Sequence, residues 1–154
     1  GLPAYEVSNL AHPGAESGHN LIYWRLGDYA GIGPGAHGRL TLDSARFATE
    51  AERQPVPWLD QTLNRSGSAE TSDRLSPEDR AAEYLMFALR LKEGASLSRF
   101  AALAGAPLAP GALSEMADLG FLHQEEDQLR TTASGVMVLN GILRALLANR
   151  QSAG

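Results

Sequence analysis

Residues 76–150 alternate apolar helical stripes with helix stops, and this pattern constrains the fold more than any other feature of the chain. Ser76-Pro77-Glu78-Asp79 reads as a helix start, with serine as N-cap, proline at the first helical position and acids in the first turn. Ala82, Leu85, Met86 and Leu89 follow at helical spacing and predict one buried stripe, with Gly94 ending the helix after Lys92. A second short helix is expected over Leu97–Leu103, stopped by Gly105 and Pro107, and a third from Pro110 to Leu119, closed by Gly120. Phe121-Leu122-His123 and Gln128-Leu129-Arg130 flank the acidic turn Glu125-Glu126-Asp127 and read as a hairpin. Thr132 is placed to cap a last helix carrying Val136, Leu139, Leu143, Leu146 and Leu147 along one face. Three helices, a hairpin and a closing helix make a winged-helix-like order. Its caps, stripes and turns agree, so residues 76–150 are expected to fold on their own.

Charge decides what such a unit can bind. The third helix would be the recognition helix, but it carries Glu115 and Asp118 with no lysine or arginine, and the hairpin tip holds three consecutive acids. Both would meet phosphate with the wrong sign. The whole chain has 13 basic and 18 acidic residues, a net charge of −5. No nucleic-acid partner is expected, because bulk binding needs phosphate neutralisation.

The chain has 154 residues and 44% hydrophobic content, enough for a core without covalent staples. It has no cysteine, which rules out disulfides and any thiolate-held iron–sulfur or zinc centre made by this chain alone. No apolar run is long enough to predict a membrane span. Gly1-Leu2-Pro3 lacks the basic and apolar regions of a signal peptide, and the missing initiator methionine points to processing or truncation. Residues 41–75 read as a polar connector with one short helix near Trp58–Asn64 and a linker over Arg65–Asp73.

Ligand-type side chains concentrate between Tyr5 and Gly38, which hold three of the four histidines and the densest glycine cluster. In His19-Asn20-Leu21-Ile22-Tyr23-Trp24, a helix would stack His19 on Tyr23 and Asn20 on Trp24; Asn20 serves equally well as an N-cap. One reading is a helix start whose aromatics pack into a core. The other is an imidazole beside an aromatic platform, suited to a planar ligand or a metal. Gly33, Gly35 and Gly38 form a literal G-x-G-x-x-G, but Arg39-Leu-Thr-Leu-Asp after it looks extended, so no dinucleotide fold is expected. A strand from Tyr29 to Gly33, running into a glycine turn that presents His37, is expected instead, at a strand end of the kind that meets small ligands in α/β barrels. His12 sits in a turn and His123 in the hairpin. His12, His19 and His37 match no compact zinc spacing, so no metal site is expected. No serine occupies a nucleophile elbow, and no catalytic residue is assigned.

Tyr5-Glu-Val-Ser-Asn-Leu-Ala11, His19–Trp24 and Gly27-Asp-Tyr-Ala-Gly-Ile-Gly-Pro-Gly-Ala-His-Gly38 together resemble the HemW branch of the HemN-like radical SAM family. The resemblance continues through Glu83–Gly94, Leu119–Leu122 and Leu129–Gly135, covering nearly the whole chain. It implies an α+β, mostly α, architecture. Residues 1–40 would be the end of a radical SAM α/β barrel, 41–75 a connector, and 76–154 the HemN-type, winged-helix-like C-terminal domain. The family's [4Fe–4S] cluster and S-adenosylmethionine belong to a CxxxCxxC region that this chain lacks, so radical chemistry is not expected of it alone. The resemblance further implies haem binding by His19, Asn20, Tyr23, Trp24 and His37, and a cofactor-facing turn at Gly31, Gly33, Gly35 and His37. The expected partners are haem or a porphyrin and a haem-acceptor protein, in the cytoplasm, with membrane contact only through a partner. The function the resemblance implies is that of a haem chaperone, which binds haem and delivers it to acceptor proteins; two alternatives stand beside it: an oxygen-independent coproporphyrinogen III oxidase, and a winged-helix interaction module. Separated from barrel neighbours, residues 1–40 are expected to be mobile or to dock elsewhere.

Overall fold

The computed structural model describes residues 1–64 and 70–148. In chain order the elements are α1 (Gly18–Trp24), β1 (His37–Leu42), β2 (Ala45–Ala51), α2 (Pro55–Asn64), β3 (Glu70–Arg74), α3 (Pro77–Ala88), β4 (Ala95–Ser96), α4 (Leu97–Ala104), α5 (Pro110–Asp118), β5 (Leu122–Glu125), β6 (Gln128–Thr131), α6 (Ala133–Met137) and α7 (Leu139–Ala148). They form two compact units, one of residues 1–26 with 77–154 and one of residues 27–76, so the first forty residues are shared between the two. No helix among the described residues is long and apolar enough to cross a membrane.

The larger unit is built around α3. The helix starts at Pro77 with Glu78 and Asp79 in its first turn, and buries Ala81, Tyr84, Leu85 and Ala88. Met86, expected in the stripe, is 36% exposed, because it lies about 100° around the helix from Leu85. The helix also stops at Ala88, earlier than expected. Residues 89–94 turn back instead, and Gly94 takes a left-handed φ of 79°. Phe100, Leu85, Leu89, Leu129, Ile142 and Leu146 are the largest fully buried side chains. They share one cluster with residues from α3, α4, α5, β5, β6 and α7.

The expected helices α4 and α5 are present, and α4 ends at Gly105 in the left-handed conformation. The hairpin is also present: β5 pairs with β6 from Leu122↔Thr131 to Glu125↔Gln128, and β4 adds to the other edge of β6 through Ala95↔Leu129. The closing helix is two pieces. Thr132 caps α6 by accepting from the Gly135 amide, and Val138 leaves helical geometry before α7 begins. Gly135 lies against the Phe121 carbonyl, where any Cβ would overlap it.

Two of the three acids of the hairpin tip have internal partners. The Asp127 carboxylate accepts from the Ser96 hydroxyl at 2.6 Å, the Ser98 hydroxyl at 2.9 Å and the Ser98 amide at 2.8 Å. Its own backbone carbonyl accepts from the Leu97 amide at 2.8 Å. Glu125 accepts from Arg130 at 3.0 Å. Asp127 therefore locks the hairpin tip to the start of α4. The Ser96 hydroxyl, the Ser98 amide and the Ser98 hydroxyl hold its pKa below the ordinary 3.8 against a small opposing effect of burial. A depressed carboxylate contributes stability that is present above its unfolded-state pKa and lost as pH falls through the folded value. The urea midpoint of Asp127→Asn should therefore lie below wild type at pH 5–7, and the two should converge as pH drops below about 4. A gap that persists unchanged at acid pH would disprove the clamp.

The smaller unit is an antiparallel meander, β1-β2-β3, with α2 inserted between β2 and β3. β1 and β2 pair from His37↔Glu50 to Leu42↔Ala45. Their two-residue turn is Asp43-Ser44, both at positive φ, 48° and 65°, which suits the right-handed twist of a hairpin. β2 and β3 pair from Phe47↔Arg74 to Ala51↔Glu70. The stretch read as a connector is therefore a sheet with a helix. Of the expected linker, residues 65–69 lie outside the described residues, and Glu70–Asp73 belongs to β3.

Candidate functional site

Helix α1 carries the His19–Trp24 block. Ser17, not Asn20, is its N-cap, and its hydroxyl accepts from the Asn20 amide. Seven residues make barely two turns, so side-chain contacts hold the helix in place. The expected i, i+4 pair forms: the Tyr23 hydroxyl lies 3.1 Å from His19 Nε2, with the rings edge-to-face at 4.9 Å. His19 is exposed, Tyr23 half-buried, and Ile22 beside them 44% exposed.

Asn20 and Trp24 lie about 100° and 140° around the helix from His19. The Asn20 amide nitrogen donates to the Tyr5 hydroxyl at 3.4 Å. Trp24 meets Phe87 of α3 edge-to-face at 5.5 Å, and the Arg90 guanidinium sits 5.8 Å from its ring centre. The indole N–H is buried without a hydrogen-bond acceptor. Trp24 is thus fixed against α3, while His19 and Tyr23 face outward.

Sequence reasoning missed the residues around the base of α1. A cleft of about 370 Å³ is lined by Tyr5, Glu16, Leu21, Arg25, Lys92 and Glu93, among others. At its edge Arg25 donates to Glu93 through Nε and Nη2 at 3.1 and 3.0 Å. The Glu93 hydrogen bonds and charge raise the Arg25 pKa above its usual value. Both side chains are more than half exposed, so the pair adds only about 0–1 kcal/mol. The partners lie 68 positions apart, and no local signal announces them. In the same unit Glu6 is 3% exposed, and its carboxylate accepts from the Ser8 hydroxyl and the Asn9 side-chain amide.

Gly31–Gly38 lies in the smaller unit. Tyr29–Gly33 does not form the expected strand: Tyr29 makes a single antiparallel bridge to Arg39, with both amide-to-carbonyl distances 2.8 Å. The chain then turns through Gly33 and Gly35, at φ 106° and 70°, and His37 opens β1. The glycines have different reasons. A Cβ on Gly31 would strike the His37 backbone, and one on Gly38 would strike the Thr49 hydroxyl, so both serve close packing. Gly33 has open space around it and Ile32 is 93% exposed, which leaves that turn as the accessible part of the segment.

His37 is exposed and lies opposite Glu50, whose carboxylate accepts from Arg53 at 2.7 Å. The Arg53 hydrogen bond and charge, with a smaller effect of His37, hold the Glu50 pKa low. Asp28 accepts from the Thr41 amide and hydroxyl at 2.8 Å each and from Arg46 at 3.0 Å. Burial pushes its pKa up, but the Thr41 hydrogen bonds and the Arg46 charge outweigh that and lower it. His19 and His37 lie in different units. Among the described residues no group of three or more His, Cys, Asp or Glu side chains is arranged to hold a metal ion.

The described elements match the C-terminal part of the HemN fold. Residues 75–138 match the HemN C-terminal domain. Over these residues the chain carries a HemN C-terminal domain. It is 34% identical over 151 residues to the heme chaperone HemW of Escherichia coli, covering 96% of this chain and 39% of that protein. It is 31% identical to the heme chaperone HemW of Bacillus subtilis, covering 96% of this chain and 38% of that protein. The bovine protein named radical S-adenosyl methionine domain-containing protein 1, mitochondrial, is 31% identical across 99% of this chain and 37% of its own length. The chain thus spans under two-fifths of the length of these relatives. The solved structure of E. coli coproporphyrinogen III oxidase HemN, a radical SAM enzyme, superposes with a TM-score of 0.61 at 15% identity. It covers 88% of this chain and 35% of the enzyme, a likeness of fold.

Proposed function

We propose that this chain is the haem-handling C-terminal segment of a HemW-type chaperone, which holds haem and passes it to an acceptor protein. The observation that carries the reading is the outward His19–Tyr23 face of α1 in a chain 34% identical to a heme chaperone. His19 would supply a ring nitrogen to the haem iron on an open, partly apolar surface that Tyr23 and Ile22 share. Asn20 and Trp24 support this face from behind. His37 is the second candidate ligand.

The accessible Gly33–Gly35 turn is the best place on this chain for a cofactor of the longer relatives to approach, with Gly31 fixing the backbone behind it. The residues here do not fit an iron–sulfur cluster, since the chain has no cysteine. The order α3-β4-α4-α5-β5-β6 supports a winged-helix-like reading of residues 76–154. Glu115, Asp118 and the acidic tip suit packing or protein contact, not phosphate.

Haemin titration followed in the Soret region tests the assignment. His19→Ala should lose at least about tenfold in affinity, equivalent to about 1.4 kcal/mol, and shift the band. An unchanged band and affinity would remove His19 as ligand.

A further inference from the structure

The contact between Tyr23 and His19 has a chemical consequence for any ligand of that imidazole, and it rests on the reading of His19 as the haem ligand. Iron needs the lone pair of a ring nitrogen. Nε2 is the nitrogen that projects away from the backbone, while Nδ1 is crowded by its own Cβ against a flat porphyrin. The Tyr23 hydroxyl lies 3.1 Å from that Nε2. Two tautomers are compatible with this distance. In one, the hydroxyl donates to Nε2 and occupies its lone pair. In the other, Nε2 carries the proton and donates it to the phenol oxygen. Neither leaves Nε2 able to bind iron.

The arrangement is locally enforced. The i, i+4 spacing on α1 stacks the two rings at 4.9 Å. Trp24 fixes the helix on α3, so its outward face is defined. Nδ1 has no hydrogen-bond partner among the described residues, so the hydrogen bond that orients the imidazole is the one with Tyr23.

We infer that Tyr23 is a built-in competitor for the His19 ligand atom: it occupies Nε2 in the haem-free protein and takes it back as haem leaves. The chain then binds haem more weakly than a bare histidine on the same helix would, and releases it faster. That suits a protein that passes haem on. Tyr23 acts through His19 and is a positioning residue.

The probe is haemin, and the variant is Tyr23→Phe, which keeps the ring and removes the hydroxyl. One exposed hydrogen bond sets the scale, so Tyr23→Phe should bind haemin about 3- to 10-fold more tightly. Capture of haem from it by excess apomyoglobin should slow by a similar factor. In the haem-free protein, the ring 15N shifts of His19 should move toward those of an unconstrained imidazole, a readout that needs no haem. If Tyr23→Phe binds equally or more weakly while His19→Ala loses haem, the competition is overturned and His19 stands as ligand. If His19→Ala binds as well as wild type, the ligand assignment falls and the competition with it.

Discussion

Phe100→Ala should destabilise the larger unit by about 3–5 kcal/mol, the range for a buried aromatic truncated to alanine. Phe100 is fully buried on α4, a helix capped at its start by Ser96 and stopped by Gly105. Its cluster draws on α3, α5, both hairpin strands and α7, so no single element can move in to fill the void. The cost is lost transfer energy plus a cavity whose walls are held by separate anchors. Urea denaturation followed by far-UV circular dichroism gives the number. Leu119→Ala is the control: that side chain is 56% exposed and should change stability by no more than about 0.5 kcal/mol. A loss under about 1 kcal/mol at Phe100 would mean the cluster is loosely packed.

Gly94→Ala should cost about 2–5 kcal/mol for two separate reasons. Gly94 has a φ of 79°, a conformation that costs an L-residue about 1–2 kcal/mol. An added Cβ would also overlap the Leu129 carbonyl and crowd the Arg130 side chain. Leu129 pairs with Ala95 in the sheet, so its backbone cannot retreat without disturbing β4 and β6. Overpacking of this kind typically costs about 1–3 kcal/mol. Gly141→Ala supplies the opposite sign. Gly141 lies in α7 with nothing within 4 Å of an added Cβ, and alanine there should stabilise by about 0.5–1 kcal/mol. The two urea midpoints should move in opposite directions. A shift in the same direction would mean that backbone geometry is not what sets Gly94.

The larger unit was legible because its signals are local. Pro77, Gly105, Pro110, Gly120 and Thr132 mark element ends through rules that act within one turn of helix. The errors there came from stripe assignment: Met86 fits the period but points away, and the helix gives way to a turn at Leu89. The smaller unit was mostly illegible. The buried residues of β2 are Arg46, Thr49 and Ala51; Arg46 and Thr49 lie on opposite faces of the strand, so no apolar alternation marks it in sequence. Arg46 is tolerated there because Asp28 meets it, a pairing across 18 positions that alternation rules cannot see. The His19–Tyr23 contact followed from i, i+4 spacing. The separation of His19 from Trp24 onto different sides of α1 needed the position of Phe87. The Asp127 clamp was hidden for the same reason: a run of acids reads as a solvated tip until Ser96 and Ser98 are placed beside it.

The two-sidedness of α1 changes how loss-of-function data on this segment should be read. Trp24 holds a seven-residue helix to Phe87 of α3 and to Arg90 in the turn after it. Truncating it would release the helix and scatter the outward residues without touching any ligand. A Trp24→Ala variant that fails to bind haem would therefore mimic a ligand mutant while reporting only detachment. The diagnostic is rescue: Trp24→Phe keeps a ring against Phe87 and should restore function if detachment is the cause. A residue-by-residue alanine scan across 19–24 merges two kinds of defect, and only conservative replacements at each position separate them.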